Sequence, residues 1–150
     1  MHPTQLCTLV VGSALFGVDV LRVQEVIRSQ PMTNVPRAHP AVGGLINLRG
    51  QIVTAIDLRA RLGLPSSTAP EPLMHVVVRT DEGAVSFLVD DVGDVIELAS
   101  LKPERAPDTL APHMRELITA VYKLDDALLL QLDADRLVEL PSHAYDDIAS

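Results

Sequence analysis

The sequence predicts a mainly β protein made of two similar subdomains, each a small barrel. Short β-branched and apolar runs recur between turns rich in Gly and Asp, which is the mark of successive hairpins. In each half, the second strand of a hairpin runs straight into a short helix opened by Asp, at Asp57 and again at Asp133, 76 positions further on (133 minus 57). Many short strands leave many edges, and closing each set into a barrel removes them. A chain of 150 residues fits one compact domain or two intimately packed subdomains, and buries roughly 68–70% of its unfolded surface without disulfide staples.

The elements follow in order. Leu6 to Val11 and Leu15 to Val20 flank Gly12-Ser13-Ala14 and read as a hairpin with a three-residue loop. From Val20, the apolar residues Val23, Val26 and Ile27 fall at a spacing that suits a brief helical turn better than strand alternation. Pro31, Pro36 and Pro40 keep 31–41 out of regular helix. Leu45 to Leu48 and Gln51 to Ile56 bracket Arg49-Gly50 as a second hairpin, and Asp57 then caps a helix from Leu58 to Leu62 that stops at Gly63. The stretch 65–72, with three Ser or Thr and Pro residues at each end, has linker composition and is the expected division between the subdomains. Met74 to Arg79 and Ala84 to Val89 form the next hairpin across 80–83, and Val92 to Leu98 adds a strand after a bend near Gly93. A loop over 103–112 leads to a last hairpin, Glu116 to Leu124 with Ala127 to Leu132, and to a helix from Asp133 to Leu140.

Composition narrows the function. Twenty acidic against twelve basic side chains give a formal charge of −8, a field that repels phosphate backbones. Two Phe, two Tyr and no Trp cannot supply base-stacking platforms, so nucleic acid is not an expected partner. Cys7 is the only cysteine, which excludes an intrachain disulfide and suits a small buried hydrophobe. The first residues lack the basic region and apolar run of a signal peptide, and no apolar run approaches the ~20 residues that span a bilayer. The expectation is a cytoplasmic protein without membrane insertion.

A search for catalytic groups returns little. Neither Lys102 nor Lys123 follows a Gly-rich phosphate loop, and no Ser sits in a nucleophile elbow. His2, His39, His75, His113 and His143 show no metal-binding pairing, and one Cys cannot build a thiolate zinc site. Asp133-Ala134-Asp135 starts like a calcium loop but lacks its Gly, so a helix start accounts for it better. Asp90-Asp91, Asp125-Asp126 and Asp146-Asp147 read as solvated turn charge, because adjacent strand residues face opposite ways and cannot easily share a proton. No metal or other cofactor is called for. Glu25 and Arg49 each read as a member of a surface ion pair, pairing with one another being one option, and Gly43-Gly44 as a bulge or a close backbone approach.

Four segments change the weight of these readings. Leu21-Arg22-Val23-Gln24-Glu25-Val26-Ile27, Gly44-Leu45-Ile46-Asn47-Leu48-Arg49-Gly50, Ile56-Asp57-Leu58-Arg59 and Leu88-Val89-Asp90-Asp91-Val92-Gly93-Asp94-Val95 strongly resemble, in this order and spacing, the CheW family of bacterial chemotaxis coupling proteins. The resemblance covers about 6–140 and so implies a single CheW-like domain over 1–150. It implies a fold of two packed five-stranded SH3-like β-barrels with a few short helices. It also implies a non-enzymatic adaptor that couples the cytoplasmic tip of a methyl-accepting chemoreceptor to the regulatory domain of the histidine kinase CheA, and that can join other CheW-like domains in rings. Carried over by motif, Val23, Glu25, Gly44, Arg49, Val92 and Val95 are the expected receptor-binding residues, forming an apolar groove for a helix in which Arg49 fixes orientation. The kinase-binding residues have no matching motif and stay open. The alternatives are a coupling protein of a twitching, gliding or other non-flagellar pathway, and, least favoured, an enzyme using the carboxylate pairs. The sequence departs from the usual pattern at Thr54, Ser86 and Asp91, which bears on the partner more than on the fold.

Overall fold

The computed structural model describes residues 4–28, 30–65 and 73–140. Strands β1 (Gln5–Val11) and β2 (Ala14–Asp19) form the first hairpin, closed by Gly12-Ser13 alone, one residue tighter than expected. Asp19 then accepts the N–H of Leu21 and opens a 3-10 turn, Val20–Arg22. The helical reading of this region holds for that turn only. From Val23 the chain extends as β3 (Val23–Arg28), because its β-branched residues gain a ladder partner that the local spacing could not reveal. Next come β4 (Val42–Leu48), β5 (Gln51–Asp57) and α1 (Leu58–Arg61), whose first turn is capped by the Asp57 carboxylate. The hairpin β6 (Met74–Thr80) and β7 (Gly83–Val89) is followed by β8 (Asp91–Glu97).

Two unexpected elements lie at the two ends of the expected loop 103–112. A three-residue strand, β9 (Lys102–Glu104), carries Pro103 on an outer edge, where its missing N–H costs nothing. Helix α2 (Pro112–Leu117) starts on Pro112, a residue suited to the first helical position, and takes in Glu116 and Leu117 ahead of β10 (Ile118–Lys123). The chain closes with β11 (Leu128–Leu132) and α3 (Ala134–Val138), capped by Asp133.

The strands form a five-stranded sheet ordered β3-β6-β7-β5-β4 and a six-stranded sheet ordered β8-β1-β2-β11-β10-β9, so the second subdomain has one strand more than expected. Strand for strand, β8, β1, β2, β11 and β10 match β3, β6, β7, β5 and β4. In each set the third and fourth strands pair parallel and the rest antiparallel. The register shifts also correspond, in the first pair and the last pair of both sets. The chain crosses from one sheet to the other after β2 and back after β7. The stretch 65–72 therefore joins α1 to β6 within one sheet and does not divide the subdomains. Residues 66–72 lie outside those described, as do Asp146 and Asp147, His2 and His143.

Strand alternation explains how both faces of each sheet are buried. Cys7, Leu9 and Val11 of β1, Phe16 and Val18 of β2, Val76 and Val78 of β6, and Val85, Phe87 and Val89 of β7 all join one cluster shared by the two sheets. The intervening residues Leu6, Val77, Ser86 and Leu88 are buried on the opposite faces. Burial pushes the Cys7 thiol pKa up, in keeping with a packing role. No described helix is long and apolar enough to cross a membrane.

Candidate interaction site

Arg49 and Gly50 form the two-residue loop between β4 and β5, with φ of 53° and 85°. Positive φ at both positions is what such a hairpin loop demands, and Asn or Gly usually supplies the first. Asn47 supports the turn by accepting the Gly50 N–H through Oδ1 at 2.8 Å. An arginine here holds a conformation costing about 1–2 kcal/mol in an L-residue, and its side chain projects outward, 75% exposed.

That side chain reaches Glu25 on β3. Arg49 Nη1 donates to Glu25 Oε2 at 2.7 Å and Nη2 to Oε1 at 2.9 Å. The forked geometry fixes both planes, and the carboxylate bond, with its charge, raises the Arg49 pKa. Because β3 and β4 are opposite edges of the five-stranded sheet, this pair spans the edges and shows that the sheet is curled. The Thr33–Leu45 bridge ties the β3–β4 connection onto β4 in the same region.

The other expected site residues lie on β3, β4 and β8, in both sheets. Val23 on β3 and Val92 on β8 are half-buried and pack against the shared core, while Val95 is 49% exposed on β8. Val92 and Val95 thus belong to a different sheet from Glu25 and Arg49. Gly44 has a structural explanation. Its φ is 150°, and a Cβ there would lie 2.8 Å from the Thr33 carbonyl oxygen, beside the register shift between Val42 and Gly44.

Several of the described groups considered for chemistry take part in turns, ion pairs or packing. Asp125 and Asp126 are exposed at the β10–β11 turn. Asp90 differs from the expected solvated charge: its Oδ2 accepts Arg59 Nη2 at 2.7 Å and the Gly12 N–H at 2.6 Å. His75 is fully buried, with Nδ1 against Ser86 Oγ at 2.8 Å, and burial pushes its pKa down. His113 Nε2 meets the Leu62 carbonyl at 2.9 Å. Among the described residues, no three His, Cys, Asp or Glu side chains are grouped to hold a metal ion. The sequence reading missed the ionic roles of Arg22, Arg59 and Asp135. One signal was available: Arg59 and Asp135 occupy the same place after the helix caps Asp57 and Asp133, with opposite charge.

With this geometry established, the comparison with known families is decisive. The model of the CheW-like domain matches residues 5–142. The chain belongs to the CheW-like family. A chemotaxis protein CheW of Thermotoga maritima is 32% identical over 131 residues, covering 86% of this chain and 83% of its own. The CheW of Klebsiella aerogenes is 28% identical over 137 residues, covering 91% and 82%. A crystal structure of the scaffolding protein TtCheW from Thermoanaerobacter tengcongensis superimposes with a TM-score of 0.78 at 25% identity, covering 93% of this chain and 90% of that one. The two-subdomain β architecture is thus the CheW fold, with sheets of five and six strands.

Proposed function

We propose that this CheW-like protein is a coupling scaffold of chemotaxis signalling, with no catalytic step of its own. It holds the cytoplasmic tip of a chemoreceptor and the regulatory domain of CheA together, and so sets kinase output by position. The observation that carries this reading is the match of the CheW-like domain over residues 5–142. In this reading the protein works in the cytoplasm, recruited to receptor arrays at the membrane.

The receptor contact is assigned to Val23, Glu25, Gly44, Arg49, Val92 and Val95. A forked ion pair together with partly exposed valines suits a helical partner, since the apolar surface supplies contact area and the guanidinium fixes direction. Arg49 holds a conformation unfavourable for its residue type, which supports a role for its side chain rather than its backbone.

Calorimetric titration against a receptor tip fragment and against the CheA regulatory domain tests this assignment, with Arg49→Ala measured in parallel. The expected result is binding to both partners, with the variant weakened toward the receptor alone. Binding to neither would reject this coupling role and turn attention to the receptor and kinase of a non-flagellar pathway.

A further inference from the structure

The two subdomains meet through an apolar core, and apolar contact is non-directional. Directional contacts also join them, among them the bond from Arg61 Nε of α1 to the Leu137 carbonyl of α3 at 2.8 Å, and two clusters that contain an ion pair correspond to each other in detail. In the first, Arg22 lies where the chain crosses from β2 to β3. Its Nη1 and Nη2 donate to Asp135 Oδ1 and Oδ2 at 3.1 and 2.9 Å. Asp135 sits two residues after the Asp133 cap of α3, and its Oδ1 also accepts the N–H of Asp81, in the β6–β7 turn of the opposite sheet, at 2.9 Å.

In the second, Asp90 lies where the chain crosses back from β7 to β8. It receives Arg59, which sits two residues after the Asp57 cap of α1, and also the N–H of Gly12, in the β1–β2 turn of the opposite sheet. Each cluster thus combines a crossing residue, a residue two positions past a helix cap, and a hairpin-turn N–H from the other subdomain. The charges are reversed between the two.

We infer that Arg22–Asp135 and Arg59–Asp90 are a matched pair of ionic clamps that fix the mutual orientation of the two subdomains. Their side chains are only 17–36% exposed, so solvent competes with them less than with the Arg49–Glu25 pair. Burial opposes ionisation of Asp135, but the Asp81 N–H and Arg22 outweigh it and hold its pKa below the usual carboxylate range. Resting on the proposed function, the clamps also position the receptor surface, because Glu25 and Arg49 lie on one sheet and Val92 and Val95 on the other.

The test is a distance measurement between spin labels at Arg28→Cys and Lys123→Cys, one on each sheet, in a Cys7→Ala background. The parent protein should give one narrow distance distribution. Arg22→Ala and Asp90→Asn should each broaden or shift it, whereas Arg49→Ala should leave it unchanged. Asp90→Asn keeps an oxygen acceptor and nearly the same shape, so it decides the matter if Arg22→Ala does not fold. Unchanged distributions in the folded clamp variants would overturn the inference. This readout needs no partner, so it stands or falls separately from the coupling role. Altered distances with undiminished receptor binding would overturn only the link to the receptor surface.

Discussion

At the scale of single residues, Arg49 separates function from stability. Its ion pair with Glu25 is largely exposed on the arginine side, and solvent-screened pairs of this kind contribute little to stability. Glycine at this position would relieve the positive φ of 53°, so Arg49→Gly should melt at or slightly above the parent temperature while losing receptor affinity. A melting temperature several degrees lower would instead make Arg49 a structural residue. Gly44→Ala should behave oppositely, costing about 1–3 kcal/mol through backbone strain and contact with Thr33, as read by thermal or denaturant unfolding. Weaker partner binding in that variant would then follow from altered structure.

His75 offers a pH test at the same scale. Burial lowers its pKa in the folded protein below the ordinary 6.5, so the unfolded chain binds its proton more readily. Its contribution to stability is complete above about pH 6.5 and is lost as pH falls from there through the folded value. His75→Gln should remove that part of the slope in a plot of unfolding free energy against pH. A slope unchanged by the substitution would show that other groups produce it.

At the scale of elements, the two Asp caps are directly comparable. Asp57 Oδ1 accepts the N–H groups of Arg59 and Ala60 at 3.0 and 3.4 Å, and Asp133 Oδ1 those of Asp135 and Arg136 at 3.0 and 3.2 Å. Asp57→Ala and Asp133→Ala should each cost about 0.5–2 kcal/mol in denaturant unfolding, with additive effects if the helices are independent. Both caps were legible in the sequence because Asp followed by a short helical run is a local signal. The hairpins were legible for the same reason, since Arg49-Gly50 and Glu82-Gly83 mark turns by residue type. The strand β3 was not legible, because the spacing of Val20, Val23, Val26 and Ile27 fits a helical turn and only pairing with β6 decides otherwise. Pro103 and Pro112 concealed β9 and α2, each sitting where proline is tolerated, on a sheet edge and at a helix start.

At the scale of the whole molecule, one shared core serves both sheets. Ile56, 2% exposed within that cluster, should lose about 2–5 kcal/mol on truncation to Ala. A single cooperative transition, lowered as a whole, should accompany it in calorimetry, whereas two separated transitions would mean that the subdomains unfold independently. Which strand belongs to which sheet was beyond sequence reasoning. The linker-like composition of 65–72 suggested a boundary there, while the chain crosses at Val20–Arg22 and at Asp90. Glu25 and Arg49 were readable as candidates because an acid and a base stood out in apolar surroundings. Their contact across 24 positions, and that of Arg22 with Asp135 across 113, depends on the tertiary fold.

The central claim is that this protein joins two partners, and co-sedimentation measures joining directly. Receptor tips displayed on vesicles are mixed with CheA, with and without this protein, and the kinase in the pellet is quantified. The account predicts that the protein carries more CheA into the pellet and that Arg49→Ala removes most of the increase. Equal CheA in the pellet with and without the protein would contradict it.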